Sequence, residues 1–187
     1  MINLTINNKN VTADEGMTIL EVARQNNILI PTLCYLEGVH KYGSCRICVV
    51  EVEGNKNLQA SCITPVSEGM VVRTNSKRVR DARKVIYELI MSDHPKDCLK
   101  CARNQNCELQ VLGELIQVEE SRFEGEMSES LIDDSSEAIV RDSTKCILCR
   151  RCVTVCNEVQ GVGILNPQNR GFATIISTGD LPLNYSA

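Results

Sequence analysis

All eleven cysteines of this 187-residue chain fall into three strings, with one histidine joined to the second. The first is Cys34, Cys45, Cys48 and Cys62, a C-x10-C-x2-C-x13-C pattern. The second is His94, Cys98, Cys101 and Cys107, which reads H-x3-C-x2-C-x5-C. The third is Cys146, Cys149, Cys152 and Cys156, a C-x2-C-x2-C-x3-C run. No cysteine is left over. Aromatic residues make up 3% of the chain and Trp is absent, so any core rests on Ile, Val, Leu and Met. Several small units, each stapled by an inorganic group, need less apolar core than one large domain, because ligand binding adds folding free energy.

Disulfides are the plainest use of many cysteines, but the odd total, the absence of an export signal and the paired C-x2-C spacings argue against them. Zinc ribbons also use C-x2-C pairs, yet they separate two pairs by a longer loop and rarely place three cysteines in one C-x2-C-x2-C string. Soft thiolates at these spacings point to iron–sulfur clusters, and the C-x2-C-x2-C-x3-C run matches the spacing of bacterial ferredoxins. Several clusters in one chain make a relay for single electrons. A net charge of −4 disfavours a nucleic-acid partner. The polar start MINLTINNKN lacks a signal-peptide layout, and no apolar run nears the roughly 20 residues of a membrane span. The expected compartment is the cytoplasm.

Residues 1–13 alternate as a hairpin, with Asn7-Asn8-Lys9-Asn10 at the turn. Thr18 stands three before Glu21, a capping-box spacing, ahead of a helix running to about Asn26. Val49 to Glu53, Leu58 to Ile63 and Val71 to Thr74 read as strands. About 75 residues thus suggest a small mixed sheet packed on a helix. Gly43 suits a loop whose backbone must approach a cluster closely. Ser76 caps a second expected helix, with Val79, Ala82, Val85, Ile86, Leu89 and Ile90 on one stripe and Arg and Lys on the other. Ser92-Asp93-His94-Pro95 ends it. A shorter helix is expected from Glu108 to Val118, and the acidic, Ser-rich residues 119–137 read as a solvated surface linker.

Four thiolates suit one two-iron cluster, two ligands to each iron. The ten residues between Cys34 and Cys45 exceed the plant-type spacing of about four, and that longer loop carries His40. His40 reads as exposed or hydrogen-bonded rather than as a ligand, because four cysteines already close the site. Arg46 reads either as a cation tempering the cluster's negative charge or as a plain surface arginine. His94 precedes only three cysteines, so it reads as the fourth ligand of a four-iron cluster, with a helix cap as the alternative. In two-cluster ferredoxins the first three cysteines of a string like Cys146, Cys149 and Cys152 bind one cluster and the fourth, here Cys156, binds a neighbour. A second string would be needed, and none follows before Ala187. Either a partner protein completes the site, or the sequence is the front of something longer. A fourth ligand role for Cys156 on the same cluster is the remaining option.

These residues closely resemble the N-terminal electron-input region of iron-only hydrogenases of the NAD(P)-linked and electron-bifurcating type. The resemblance rests on YGSCRICVVEVEG (42–54), ASCITPV (60–66), SEGMVVRTNSKRVRDARK (67–84), HPKDCLKCARNQNCELQ (94–110), KCILCRRCVTVCNEVQGVGIL (145–165) and NRGF (169–172). Each motif also occurs in the G subunit of NADH dehydrogenase complexes and in some formate dehydrogenases. The resemblance implies an α+β architecture in three parts. Residues 1–77 would be a ferredoxin-like β-grasp domain with a 2Fe-2S cluster. Residues 78–138 would be a small helical domain, with one His and three Cys on a 4Fe-4S cluster, followed by the acidic linker. Residues 139–187 would be a partial bacterial-ferredoxin-like domain. It also implies a flavin- and NAD(P)H-binding dehydrogenase subunit and other iron–sulfur subunits as partners, with ferredoxin a further one. The family's second four-cysteine string and everything that would hold a hydrogen-activating cluster are missing from residues 1–187. The expected role is therefore electron relay, either as a subunit or as the front of a hydrogenase, a formate dehydrogenase or an NADH dehydrogenase G subunit. A zinc-stapled interaction module is the alternative of a different class.

Overall fold

The computed structural model describes residues 1–179 and 182–185, arranged as two compact units. The first comprises residues 1–35, 41–87 and 108–119; the second comprises 36–40, 88–107 and 120–187.

The first unit begins with the expected hairpin, β1 (Ile2–Ile6) and β2 (Lys9–Ala13). Asn7 and Asn8 both take positive φ, 50° and 67°, so the turn is two residues long and the return strand starts at Lys9 rather than Val11. A two-residue turn with both positions left-handed matches the twist of the flanking strands, and Asn tolerates it. The amide of Asn7 also ties the turn inward: its Nδ2 donates to Thr74 Oγ1 at 2.7 Å, and its Oδ1 accepts from Thr74 N at 2.8 Å.

α1 (Ile19–Gln25) follows, with the capping box in place: Thr18 Oγ1 accepts from Glu21 N, and Glu21 accepts from Thr18 N at 2.8 Å. β3 (Val49–Val52), β4 (Gln59–Ala60) and β5 (Val71–Arg73) complete a five-stranded mixed sheet of order β2-β1-β5-β3-β4. β5 runs parallel to β1, and the other pairs are antiparallel. The core lies between this sheet and α1, from Leu4, Ile6, Ile19, Leu20, Val22, Val50 and Val72, and includes Cys48 and Cys62. β4 is shorter than the Leu58–Ile63 expectation, because the chain turns at Ser61–Thr64 to bring Cys62 inward.

α2 (Lys77–Ser92) starts where Ser76 Oγ accepts from Val79 N at 3.3 Å. Its buried line is Val79, Arg83 and Tyr87, one residue every turn. Val85 and Leu89, expected inside, are 37% and 54% exposed. The helix is rolled relative to the sequence expectation, and one arginine from the expected polar face points inward. α3 (Glu108–Ile116) packs Gly113 toward Tyr87.

The second unit holds the end of α2, two short two-stranded ribbons and several single helical turns. β6 (Ile132–Asp133) pairs with β7 (Arg141–Asp142), and β8 (Asn166–Gln168) pairs with β9 (Ile175–Ser177). The stretch 119–137 is not simply solvated. Arg122 forks onto Glu88 with bonds of 2.6 and 2.5 Å, Ser128 donates twice to Asp93 at 2.6 Å, and Leu183 N donates to Asp133 Oδ2 at 3.0 Å. Most of the stretch is exposed, as a surface linker would be, and these side-chain bonds hold it at Glu88, Asp93 and Asp133. No helix among the described residues is long and apolar enough to cross a membrane.

Candidate metal centres

The loop after α1 and the turns around β3 and β4 bring the first string together inside the first unit. Cys34 is 1% exposed, Cys45 9%, Cys48 1% and Cys62 0%, and none of the four is in a disulfide. They fall into two pairs. Cys48 Sγ and Cys62 Sγ are 3.3 Å apart, well beyond the roughly 2.05 Å of a disulfide. Cys34 N donates to Cys45 Sγ at 3.4 Å, and Cys45 N donates to Cys34 Sγ at 3.5 Å. In each pair the side chain of one cysteine is hydrogen-bonded to that of the other. The hydrogen bond with Cys34 lowers the Cys45 thiol to about 6, and the bond with Cys62 lowers Cys48 to about 7. The same bonds, together with burial, push Cys34 and Cys62 up. Among the described residues no three ligand side chains converge on one point, as the ligands of a single ion would. Two pairs of buried thiols instead suit the two irons of a 2Fe-2S core, one pair to each iron.

Gly43 sits in this loop at φ +63°, with Ile63 Cδ1 only 3.0 Å from where a Cβ would stand. Arg46 also lies at positive φ, 59°, and is exposed. Two polar contacts at Cys48 were not among the sequence expectations. Ser61 Oγ donates to the Cys48 carbonyl at 2.8 Å. The buried Arg83 donates through Nε to Ile47 O at 3.1 Å and through Nη2 to Val49 O at 2.8 Å. A period of four along α2, Val79–Arg83–Tyr87, is the pattern that could have flagged Arg83.

His94 lies two residues beyond the end of α2, and Cys98 begins a single 3-10 turn, Cys98–Lys100, capped by Cys101. Cys107 is the residue before α3. The His94 Nδ1 is buried and makes no hydrogen bond, and burial holds the imidazole below its usual range, in the neutral form that donates a lone pair to a metal. Arg103 N donates to Cys101 Sγ at 3.4 Å. One imidazole and three half-buried thiols outside any disulfide, all within fourteen residues, fit a four-iron core.

In the third string Cys146 and Cys152 are exposed, Cys149 is half-buried and Cys156 is buried. Leu148 and Arg150, on either side of Cys149, both take positive φ, 52° and 62°, which coils the loop tightly before α4 (Arg151–Thr154). Cys156 sits in the π-helical turn Val155–Val159 that extends α4. His40 is fully buried in the second unit, where its Nδ1 lies 2.6 Å from Thr154 Oγ1. Of the two sequence alternatives for His40, exposed or hydrogen-bonded, the second agrees with that contact and exposure is excluded.

A mixed sheet on a helix with paired buried thiols, followed by cysteine-rich turns, defines an iron–sulfur protein of the ferredoxin-like kind. Residues 1–77 match the model of a 2Fe-2S iron–sulfur cluster binding domain, and residues 83–122 match the NADH-ubiquinone oxidoreductase-G iron–sulfur binding region. The chain binds both cluster types. It is 50% identical, over 95% of its length, to the NADP-reducing hydrogenase subunit HndD of Solidesulfovibrio fructosivorans, and it spans 31% of that relative. It is 35% identical over 91% of its length to the NAD-reducing hydrogenase HoxS subunit gamma of Cupriavidus necator, of which it spans 72%. The chain belongs to the family of that HoxS gamma subunit. One subunit in the crystal structure of an NAD+-reducing NiFe-hydrogenase in the H2-reduced state superposes with a TM-score of 0.88 at 30% identity, covering 94% of this chain and 74% of that one.

Proposed function

We propose that the chain is a cytoplasmic electron relay of an NAD(P)-linked, electron-bifurcating oxidoreductase, docked to a flavin-bearing dehydrogenase subunit. The observation that carries this reading is the two pairs of buried, unlinked thiols in the first unit. In this reading Cys34, Cys45, Cys48 and Cys62 hold a 2Fe-2S cluster within a β-grasp domain of residues 1–77. His94, Cys98, Cys101 and Cys107 hold a 4Fe-4S cluster within residues 78–138. Cys146, Cys149 and Cys152 give three ligands of a further 4Fe-4S cluster within residues 139–187, and Cys156 reaches toward another. Bound clusters of these kinds take up and release one electron at a time. The chain's own contribution is to space the sites, exclude water from the first, and fix the ligand side chains.

The resemblance to iron-only hydrogenases gives a second reading, in which the same relay is the front of a longer catalytic chain. Anaerobic purification followed by iron and acid-labile sulfide analysis tests the core of the proposal. At least about six irons per chain are expected, the sum of one two-iron and one four-iron cluster. A colourless protein that carries zinc instead would overturn it. Intact-mass measurement on the native complex separates the two readings.

A further inference from the structure

Arg83 is 5% exposed, and its guanidinium is aimed at the backbone on both sides of Cys48. Its two hydrogen bonds go to neutral carbonyls, Ile47 O and Val49 O, and among the described residues no carboxylate pairs with it. A guanidinium taken out of water without an opposite charge is costly, and proteins do not keep such a charge without a partner. The other arginines of the first unit show the ordinary solution. Arg78, for example, sits at the surface beside Glu51. What Arg83 faces instead is the backbone that carries the Cys48 ligand. Burial draws its proton affinity down to about 10. A two-iron core with four thiolates carries about two net negative charges when oxidised and about three when reduced.

We propose that Arg83 is the buried counter-cation of the two-iron cluster and sets its reduction potential as a positioning residue. This rests on the reading that Cys34, Cys45, Cys48 and Cys62 hold that cluster. A fixed positive charge at the Cys48 side favours the state with the extra electron, so its removal makes the cluster harder to reduce. Water does not screen it there, because Cys48 and Arg83 are both enclosed. Arg46 is closer in sequence to two of the ligands, but it is solvated and contributes far less.

The test is an EPR-monitored redox titration of the full cluster-loaded chain, with Arg83→Gln, Arg83→Met, Arg83→Lys and Arg46→Gln. The four-iron signals serve as internal references. In the two neutral Arg83 variants the two-iron midpoint is expected to fall by at least a tenfold change in the reduction equilibrium, about 59 mV for one electron. Arg83→Lys recovers most of that loss, Arg46→Gln shifts the midpoint much less, and the four-iron signals stay in place. A two-iron signal that titrates unchanged in Arg83→Gln would overturn the proposal. Should neither neutral variant retain the cluster, Arg83→Lys decides. Retention by lysine supports the charge, while loss in lysine as well means that the two carbonyl bonds, not the charge, are what matter. If the unaltered chain shows no two-iron signal and no matching iron and sulfide, the cluster assignment itself has failed, and Arg83 is not at issue.

Discussion

At the scale of single residues, the side chains that matter most are the ones whose surroundings contradict their type. His40 and Arg83 are polar residues with almost no exposure. His94 is less enclosed overall, yet it keeps a buried ring nitrogen without a hydrogen bond. An imidazole in place of a thiolate takes one negative charge off a cluster, which raises its potential, as histidine does in Rieske centres. His94→Cys is therefore expected to keep a four-iron cluster while lowering its midpoint in a redox titration. An unchanged midpoint would make His94 a helix-end residue without a ligand role. His40→Ala, in the same titration, is expected to leave every cluster signal intact. The candidate ligand types were legible from spacing alone, since a cysteine string has few uses. Arg83 was not, because an arginine in an amphipathic stretch is assigned to the solvated face unless the roll of the helix is known.

Elements form where local signals agree, and drift where they do not. The Thr18–Glu21 capping box stood in the sequence and formed, and the hairpin formed with a turn at Asn7-Asn8, two residues shorter than the Asn7–Asn10 expectation. α2 kept its expected start and stop but not its face, since a stripe of six apolar residues leaves the roll open by a third of a turn. The packing of α2 against α3 yields a test of that roll. Gly113 lies mid-helix, where Ala is intrinsically favoured by about 1 kcal/mol. A Cβ there would stand 2.5 Å from Tyr87 Oη and 3.0 Å from its Cζ, and overpacking of that kind costs about 1–3 kcal/mol. Gly113→Ala is therefore expected to lower the denaturation midpoint despite the better helix former. Adding Tyr87→Phe should restore part of the loss. A stabilised Gly113→Ala chain would mean that the two helices do not meet at Tyr87. The short β4 and the ribbons of the second unit had no readable period, because two- or three-residue strands are set by their partners rather than by their own sequence.

For the whole molecule, three strings do not make three equal sites. The first is sealed, the second half-buried, and the third largely open at Cys146 and Cys152. Expressed alone, the 187-residue chain is expected to load the first two sites reliably, with the third empty, oxygen-labile or filled by a three-iron species. EPR with spin counting reads this directly. Two fully occupied, interacting four-iron clusters in residues 139–187 would refute the ligand assignment there. A single stable cubane that vanishes in Cys156→Ser would make Cys156 its fourth ligand.

Each string also contains a residue other than glycine held in the left-handed region. These are Arg46 in the first, Gln105 in the second, and Leu148 and Arg150 in the third. Such a conformation costs about 1–2 kcal/mol per residue, and in return it turns successive backbone N–H groups toward one point. The coils are wound tight around something they are meant to grip. A freshly made chain that has not received its iron and sulfide is therefore a spring held open, with every cysteine loop inclined to relax. Limited proteolysis is expected to cut the chain without iron and sulfide at these loops sooner than the loaded chain, and equal cutting of both would mean that the left-handed residues store no such tension.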